Sequence, residues 1–78
     1  MTMGKLEKSK SIIKEYYDGF DCGIFNSRSI SGDPIIPIYQ DGEITIYACP
    51  YYSYFEVFGL SKEEFAELEK YYESLGEE

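Results

Sequence analysis

Two apolar runs, 35–39 and 44–48, flank Gln40-Asp41-Gly42-Glu43, and the rest of the chain reads as cover for this unit. Asp-Gly between apolar segments is the strongest short-range hairpin signal. A type I′ turn needs positive φ at both central residues, which Asp41 and Gly42 can supply. Such a turn pairs Gln40 with Glu43, Tyr39 with Ile44, Ile38 with Thr45, Pro37 with Ile46, Ile36 with Tyr47 and Ile35 with Ala48. Alternation then puts Ile35, Pro37, Tyr39, Ile44, Ile46 and Ala48 on the expected core face, and leaves the other face apolar enough to be partly covered. Pro37 has no N–H to donate, so the strand at 35–40 is expected at a sheet edge.

The flanking pattern is helical at both ends. Over 5–18, Leu6, Ile13, Tyr17 and Phe20 fall on one stripe with Ile12 and Tyr16 beside it, and Lys5, Lys8 and Lys14 lie off it. This basic face either stays in solvent or pairs with an acidic neighbour. Asp18-Gly19 supplies a stop, with Gly19 suited to a left-handed cap. Over 61–75, Ser61 and Glu64 form a capping box, and Phe65, Leu68, Tyr72 and Leu75 make the buried stripe before Gly76 ends it. Between the helices, 22–30 reads as a strand with neither face cleanly apolar, and 31–34 as a turn. Segment 50–58 reads two ways. Pro50 at a first helical position with Tyr51, Tyr54, Phe55 and Phe58 on a stripe favours a helix. Aromatic and β-branched content favours a strand, and a short strand at about 53–58, beside the strand at 43–49, is the expected outcome. The chain is therefore expected to be one small α+β domain over 1–78, in α-β-β-β-α order, with an antiparallel sheet of three to four strands.

Composition adds that the core is small, since only 78 residues are present. Nine Tyr among the aromatic residues either fill that core with amphipathic rings or leave a binding face. Net charge is −8 and unevenly spread. Residues 1–14 carry Lys5, Lys8, Lys10 and Lys14 against Glu7, whereas 15–78 carry 14 acids against Arg28, Lys62 and Lys70. Direct contact with nucleic acid is disfavoured, because phosphate binding needs clustered cations. An acidic surface draws a basic partner, or serves only solubility.

The chemistry of catalysis is thin. No His is present, so Ser-His and Cys-His nucleophile pairs are unavailable. Cys22 and Cys49 alone do not complete a zinc site, and are expected as free thiols. Gly19, Gly23 and Gly32 fit no phosphate-binding loop. Asp18-Gly-Phe-Asp21 is no EF-hand loop, because the twelfth position is Ser29. No apolar run reaches membrane-span length, and Lys stands where a secretory leader would be apolar. A soluble, cytoplasmic, non-enzymatic protein without cofactor or metal is expected.

Two functional readings follow. In the first, the chain is an acidic blocker of a basic protein surface. Glu63, Glu67, Glu69, Glu73 and Glu77 line the C-terminal helix and its extension, with Glu56 or Asp41 able to join them and Glu78 prolonging the row. Glu69 and Glu73 lie toward the end where the helix dipole disfavours acids, so helix stability does not account for them. Tyr47, Tyr51, Tyr52 and Tyr71 supply candidate anchors that charge alone lacks. In the second reading the chain is a small interaction or regulatory module that docks or dimerises through exposed Tyr and Phe, or through the edge strand at 35–40.

The hairpin at 35–48, the two flanking helices and the acidic segment 61–78 carry a resemblance of class. In size, acidity and element order the chain resembles the small phage-encoded inhibitors of bacterial defence, including anti-CRISPR proteins. The resemblance implies a nucleic-acid-mimicking inhibitor that binds a Cas effector in the bacterial host cytoplasm. It carries over no functional residue.

Overall fold

Seven short segments build the fold, and the structure, a computed structural model, describes them over residues 4–27 and 34–77. Helix α1 spans Lys5–Tyr16 and ends in a 3-10 turn, Tyr17–Gly19. Strands β1 (Gly23–Phe25), β2 (Ile36–Gln40), β3 (Thr45–Cys49) and β4 (Tyr54–Phe58) follow, and helix α2 (Lys62–Leu75) closes the chain. The expected α+β architecture with terminal helices is present, and segment 50–58 is a turn and strand. Positions 28–30 of the expected first strand, and most of the turn at 31–34, lie outside the described residues.

The sheet has the order β1-β4-β3-β2, so β2 is an edge strand, as Pro37 requires. It is mixed rather than antiparallel, because β1 pairs parallel with β4. The reason lies in the helices. Contacts advance together along both: Lys5 Nζ lies 3.8 Å from Glu64, Lys10 Nζ 5.6 Å from the Tyr71 ring centre, and the Tyr17 and Tyr72 rings sit 5.3 Å apart. Helices α1 and α2 therefore run the same way. Each is joined by a short link to a strand that runs back along it, so β1 and β4 also share a direction.

Register separates the two faces. Ile24, Phe55, Ala48 and Ile36 form one cross-strand row, and Val57, Ile46 and Tyr39 another on the same face. Ile24, Phe55, Ala48, Val57 and Ile46 pack with Ile13 of α1 and Phe65, Leu68 and Tyr72 of α2 into the core. Each such large apolar side chain contributes about 1.5–3 kcal/mol by leaving water. The opposite face carries Tyr54, Cys49, Glu56, Tyr47, Phe25, Phe58 and Thr45. Strand β4 is buried on both faces. Ser9 also lies fully buried on the stripe of α1, its hydroxyl donating to the Lys5 carbonyl at 2.9 Å. A small side chain that satisfies its own polar atom suits this crowded position.

The hairpin departs from the two-residue turn. Strand pairing resumes at Gln40 with Thr45 and Tyr39 with Ile46, leaving 41–44 as the loop. The Asp41 carboxylate accepts from the backbone N–H of Glu43 at 2.7 Å and of Ile44 at 2.9 Å, and Asp41 N–H donates to the Ile44 carbonyl at 3.1 Å. This side-chain turn replaces the left-handed backbone that a type I′ turn would need, and Gly42 is not at positive φ. A register shift between Pro37 and Tyr39 then brings Pro37 opposite Tyr47 and Ile36 opposite Ala48. The core side of β3 is as expected, with Ile44, Ile46 and Ala48 buried, but Pro37 and Ile36 are exposed and Ile35 is only half-buried. Gly19 likewise is not left-handed, because α1 tightens into the 3-10 turn. The capping box of α2 is complete: Glu64 N–H donates to Ser61 Oγ at 3.2 Å and Ser61 N–H to Glu64 Oε1 at 2.9 Å.

Gly59 links β4 to α2 at φ 101°, and a Cβ there would run into the Glu43 carbonyl oxygen. Gly59→Ala is expected to cost at least about 1–3 kcal/mol. Gly42→Ala, with open space around it, is expected to stay within about 0.5 kcal/mol of the unmodified chain. Urea denaturation of both variants checks this, and equal losses would contradict it.

Candidate functional site

The turn between β3 and β4, residues 50–53, presents Tyr51, the most exposed large apolar side chain of the described residues, with Tyr52 beside it. Tyr51 is 75% exposed and Tyr52 53%, and their ring centres lie 5.5 Å apart at 54°. The turn is rigidly built. Pro50 fixes its own φ. Ser53 sits in the left-handed region at φ 59°, a conformation that costs a non-glycine residue roughly 1–2 kcal/mol. Ser53 N–H donates to the Cys49 carbonyl at 2.8 Å, and the Ser53 carbonyl accepts from Cys22 N–H at 2.8 Å. The start of β1 thus clamps the turn. Rings held on so short and braced a segment lose little freedom when a partner covers them.

The same end of the molecule collects further exposed groups. Ile36, opposite Ala48 in register, is 53% exposed, and Cys22 is an exposed thiol. Behind the turn, aromatic pairs continue across the sheet face away from the helices. Phe25 meets Tyr54 at 5.3 Å and Tyr47 meets Phe58 at 5.8 Å, both edge to face. Phe20 leads into Cys22, and its carbonyl accepts from the Tyr72 hydroxyl at 3.1 Å. Burial pushes Tyr72 up to about 12, so it remains a neutral donor. Through these contacts the C-terminal ends of both helices arrive beside the tyrosine turn. Asp18, Asp21, Glu73 and Glu77 lie there, all exposed. The last turn of α2 contains no basic residue.

The opposite end holds Lys5 and Lys8, with Lys10 one turn further along α1. Lys8 Nζ lies 3.3 Å from Asp41, which also accepts from the Tyr39 hydroxyl at 2.7 Å. Lys5 pairs with Glu64 at 3.8 Å and donates to the Gly59 carbonyl at 3.1 Å. Lys10 pairs with Glu7 at 3.7 Å. The basic face of α1 is thus largely engaged within the chain. A shallow open hollow beside it is lined by Lys8, Ser11, Ile12 and Tyr39.

The sequence-designated residues scatter over three settings. Tyr52 is at the exposed turn, joined by Tyr51. Glu63, Glu67, Glu69, Glu73 and Glu77 are exposed, but do not form one row. At about 100° per residue, Glu63 and Glu67 lie roughly 120° around α2 from Glu69 and Glu73, with Lys70 between them. Glu56 is fully buried in the central strand, in register between Tyr47 and Phe25, and does not join an exposed acidic surface. Asp41 is held in its own loop. Tyr47 is half-buried against Phe58. Tyr71 is half-buried beneath Lys10. Sequence reasoning missed Asp18, Asp21, Ile36 and Phe25 as surface features, because only the strand order brings the first three toward the tyrosine turn.

Among the described residues, no group of three or more Cys, Asp or Glu could hold a metal ion, and no helix is long and apolar enough to cross a membrane. Comparisons with protein-family models, with curated proteins and with solved structures find no match.

The Tyr39 hydroxyl, then the Ile44 and Glu43 N–H groups, hold the Asp41 carboxyl far below the usual carboxylate range, and Lys8 adds to this. Its folded value lies below the ordinary 3.8, so its contribution to stability is complete above that pH and is lost as pH falls toward the folded value. Asp41→Asn is expected to lower the melting temperature at neutral pH by several degrees and to flatten the further loss below about pH 4. Thermal melts across that range check this, and parallel curves for the two proteins would contradict it.

Proposed function

We propose that this chain is a small non-enzymatic interaction module that docks onto another protein through the end bearing Tyr51 and Tyr52. The observation that carries the reading is the pair of exposed rings on a braced turn. Tyrosine offers large contact area with few rotatable bonds, and Tyr anchors dominate binding energy at many interfaces. Monomeric surfaces seldom gather exposed apolar groups without a use for them. Neither ring supports the core, so core packing does not account for them.

A second reading has its own support. With Lys5, Lys8 and Lys10 engaged internally, the outward charge of the molecule is dominated by exposed acids, Glu63, Glu67, Glu69, Glu73 and Glu77 among them. An acidic inhibitor that blocks a basic, nucleic-acid-binding surface, in the manner of anti-CRISPR proteins acting on a Cas effector, fits that charge. The Lys70 interruption and the burial of Glu56 make the acidic face less regular than a phosphate backbone.

Affinity capture from a bacterial lysate at low and high salt separates the two. The docking module is expected to lose at least about 30-fold in affinity with Tyr51→Ala/Tyr52→Ala at either salt concentration. The melting temperature of that variant should barely move, since both side chains lie in solvent. Loss at high salt and with Glu63→Gln/Glu67→Gln, but not with the tyrosine variant, would replace docking with charge mimicry.

A further inference from the structure

We infer that the Tyr51–Tyr52 end takes an arginine-bearing, basic segment of its partner. This inference rests on the docking reading above and specifies the chemistry of what docks.

Three features of that end point to a cation. The first is the pair of tyrosine rings, whose faces are negative and attract a guanidinium or ammonium. The chain already makes one such contact internally, where Lys10 Nζ lies 5.6 Å from the Tyr71 ring centre. The second is a set of exposed carboxylates at the same end of the fold. Asp21 immediately precedes Cys22, whose N–H is bonded to Ser53 of the turn. Glu73 follows Tyr72, whose hydroxyl is bonded to Phe20. Asp18 and Glu77 lie at the same end, and against these four exposed acids the last turn of α1 supplies Lys14. The third is helix direction. Because α1 and α2 run the same way, both negative dipole ends face this end and add to the carboxylates. Acids at these positions weaken their own helices, a cost that recognition of a cation offsets.

Arginine fits this combination better than lysine. Its planar guanidinium stacks on an aromatic face while its N–H groups still reach a carboxylate in bidentate fashion. Lysine, a point charge, makes one of these contacts well at a time. Other occupants are disfavoured by the same field. A nucleic acid or an anionic membrane is repelled. A second copy meeting this end symmetrically would bring eight exposed carboxylates together.

The probe is a short peptide alternating Arg and Gly, compared with its Lys-for-Arg counterpart by titration into the isotope-labelled full chain. Amide shifts are expected to concentrate at 18–22, 50–53 and the last turn of α2. The Arg peptide is expected to bind about 2- to 5-fold tighter than the Lys peptide. Tyr51→Ala/Tyr52→Ala should abolish that preference, and Asp21→Asn/Glu73→Gln should weaken both peptides. Equal affinity for the two peptides, or shifts centred on Glu63 and Glu67, would overturn the inference. A partner captured from lysate whose binding needs Tyr51 and Tyr52, together with no response to the Arg peptide, would sink the arginine assignment while leaving the docking reading standing. Captured partners indifferent to the tyrosine variant would sink both.

Discussion

Strand β4 is hydrogen-bonded on both edges, antiparallel to β3 and parallel to β1, and the arrangement of the whole molecule depends on that double pairing. The parallel partner is the unusual part. It goes with a helix before β1 and a helix after β4 that run in one direction on one face. Two parallel helices oppose each other's dipoles, an arrangement that packing of Ile13, Phe65, Leu68 and Tyr72 over the sheet must outweigh. The result is a molecule with unlike ends. One has helix N-termini, Lys5, Lys8 and the Asp41 loop. The other has helix C-termini, exposed acids in and beyond the last turns, and the tyrosine turn.

The two ends are also built differently. At the lysine end, charged groups answer one another: Lys8 with Asp41, and Lys5 with Glu64. The Asp41 carboxylate organises its loop through two backbone N–H groups and the Tyr39 hydroxyl. That end explains itself by stability. At the tyrosine end, a left-handed Ser53, two exposed rings and exposed acids beside helix C-termini each work slightly against stability. Features that cost stability together, in one place, are where function is best sought.

Much of the fold was legible in the sequence, and the failures have physical causes. Helix α2 announced itself through Ser61, Glu64 and the spacing of Phe65, Leu68 and Tyr72, all local signals. Pro37 marked the edge strand because a missing N–H is a local fact. In 50–58 propensity outweighed periodicity, since a strand buried on both faces shows no alternation. The same double burial hid Glu56: a lone acid in an apolar strand reads as outward-facing, and here both faces are covered. The parallel pairing was invisible, because a three-residue β1 with one buried position, Ile24, carries almost no pattern. Asp41-Gly42 misled because an Asp side chain can close a loop in place of a left-handed backbone. Of the candidate site, the acids and tyrosines were legible as types but not as a place. Nine tyrosines look alike locally, and only the Pro50–Ser53 backbone singles out Tyr51 and Tyr52 from the half-buried Tyr47 and Tyr71.

The central claim is that one end of this molecule, defined by the tyrosine turn, is its contact surface. Hydroxyl-radical footprinting of the chain alone and bound to a captured partner tests it most directly. Protection of Tyr51, Tyr52 and Ile36, with Ala66 and Lys70 on the outer face of α2 still reactive, is the result this account predicts. Protection centred on the outer face of α2, with both tyrosines as reactive as in the free chain, would contradict it.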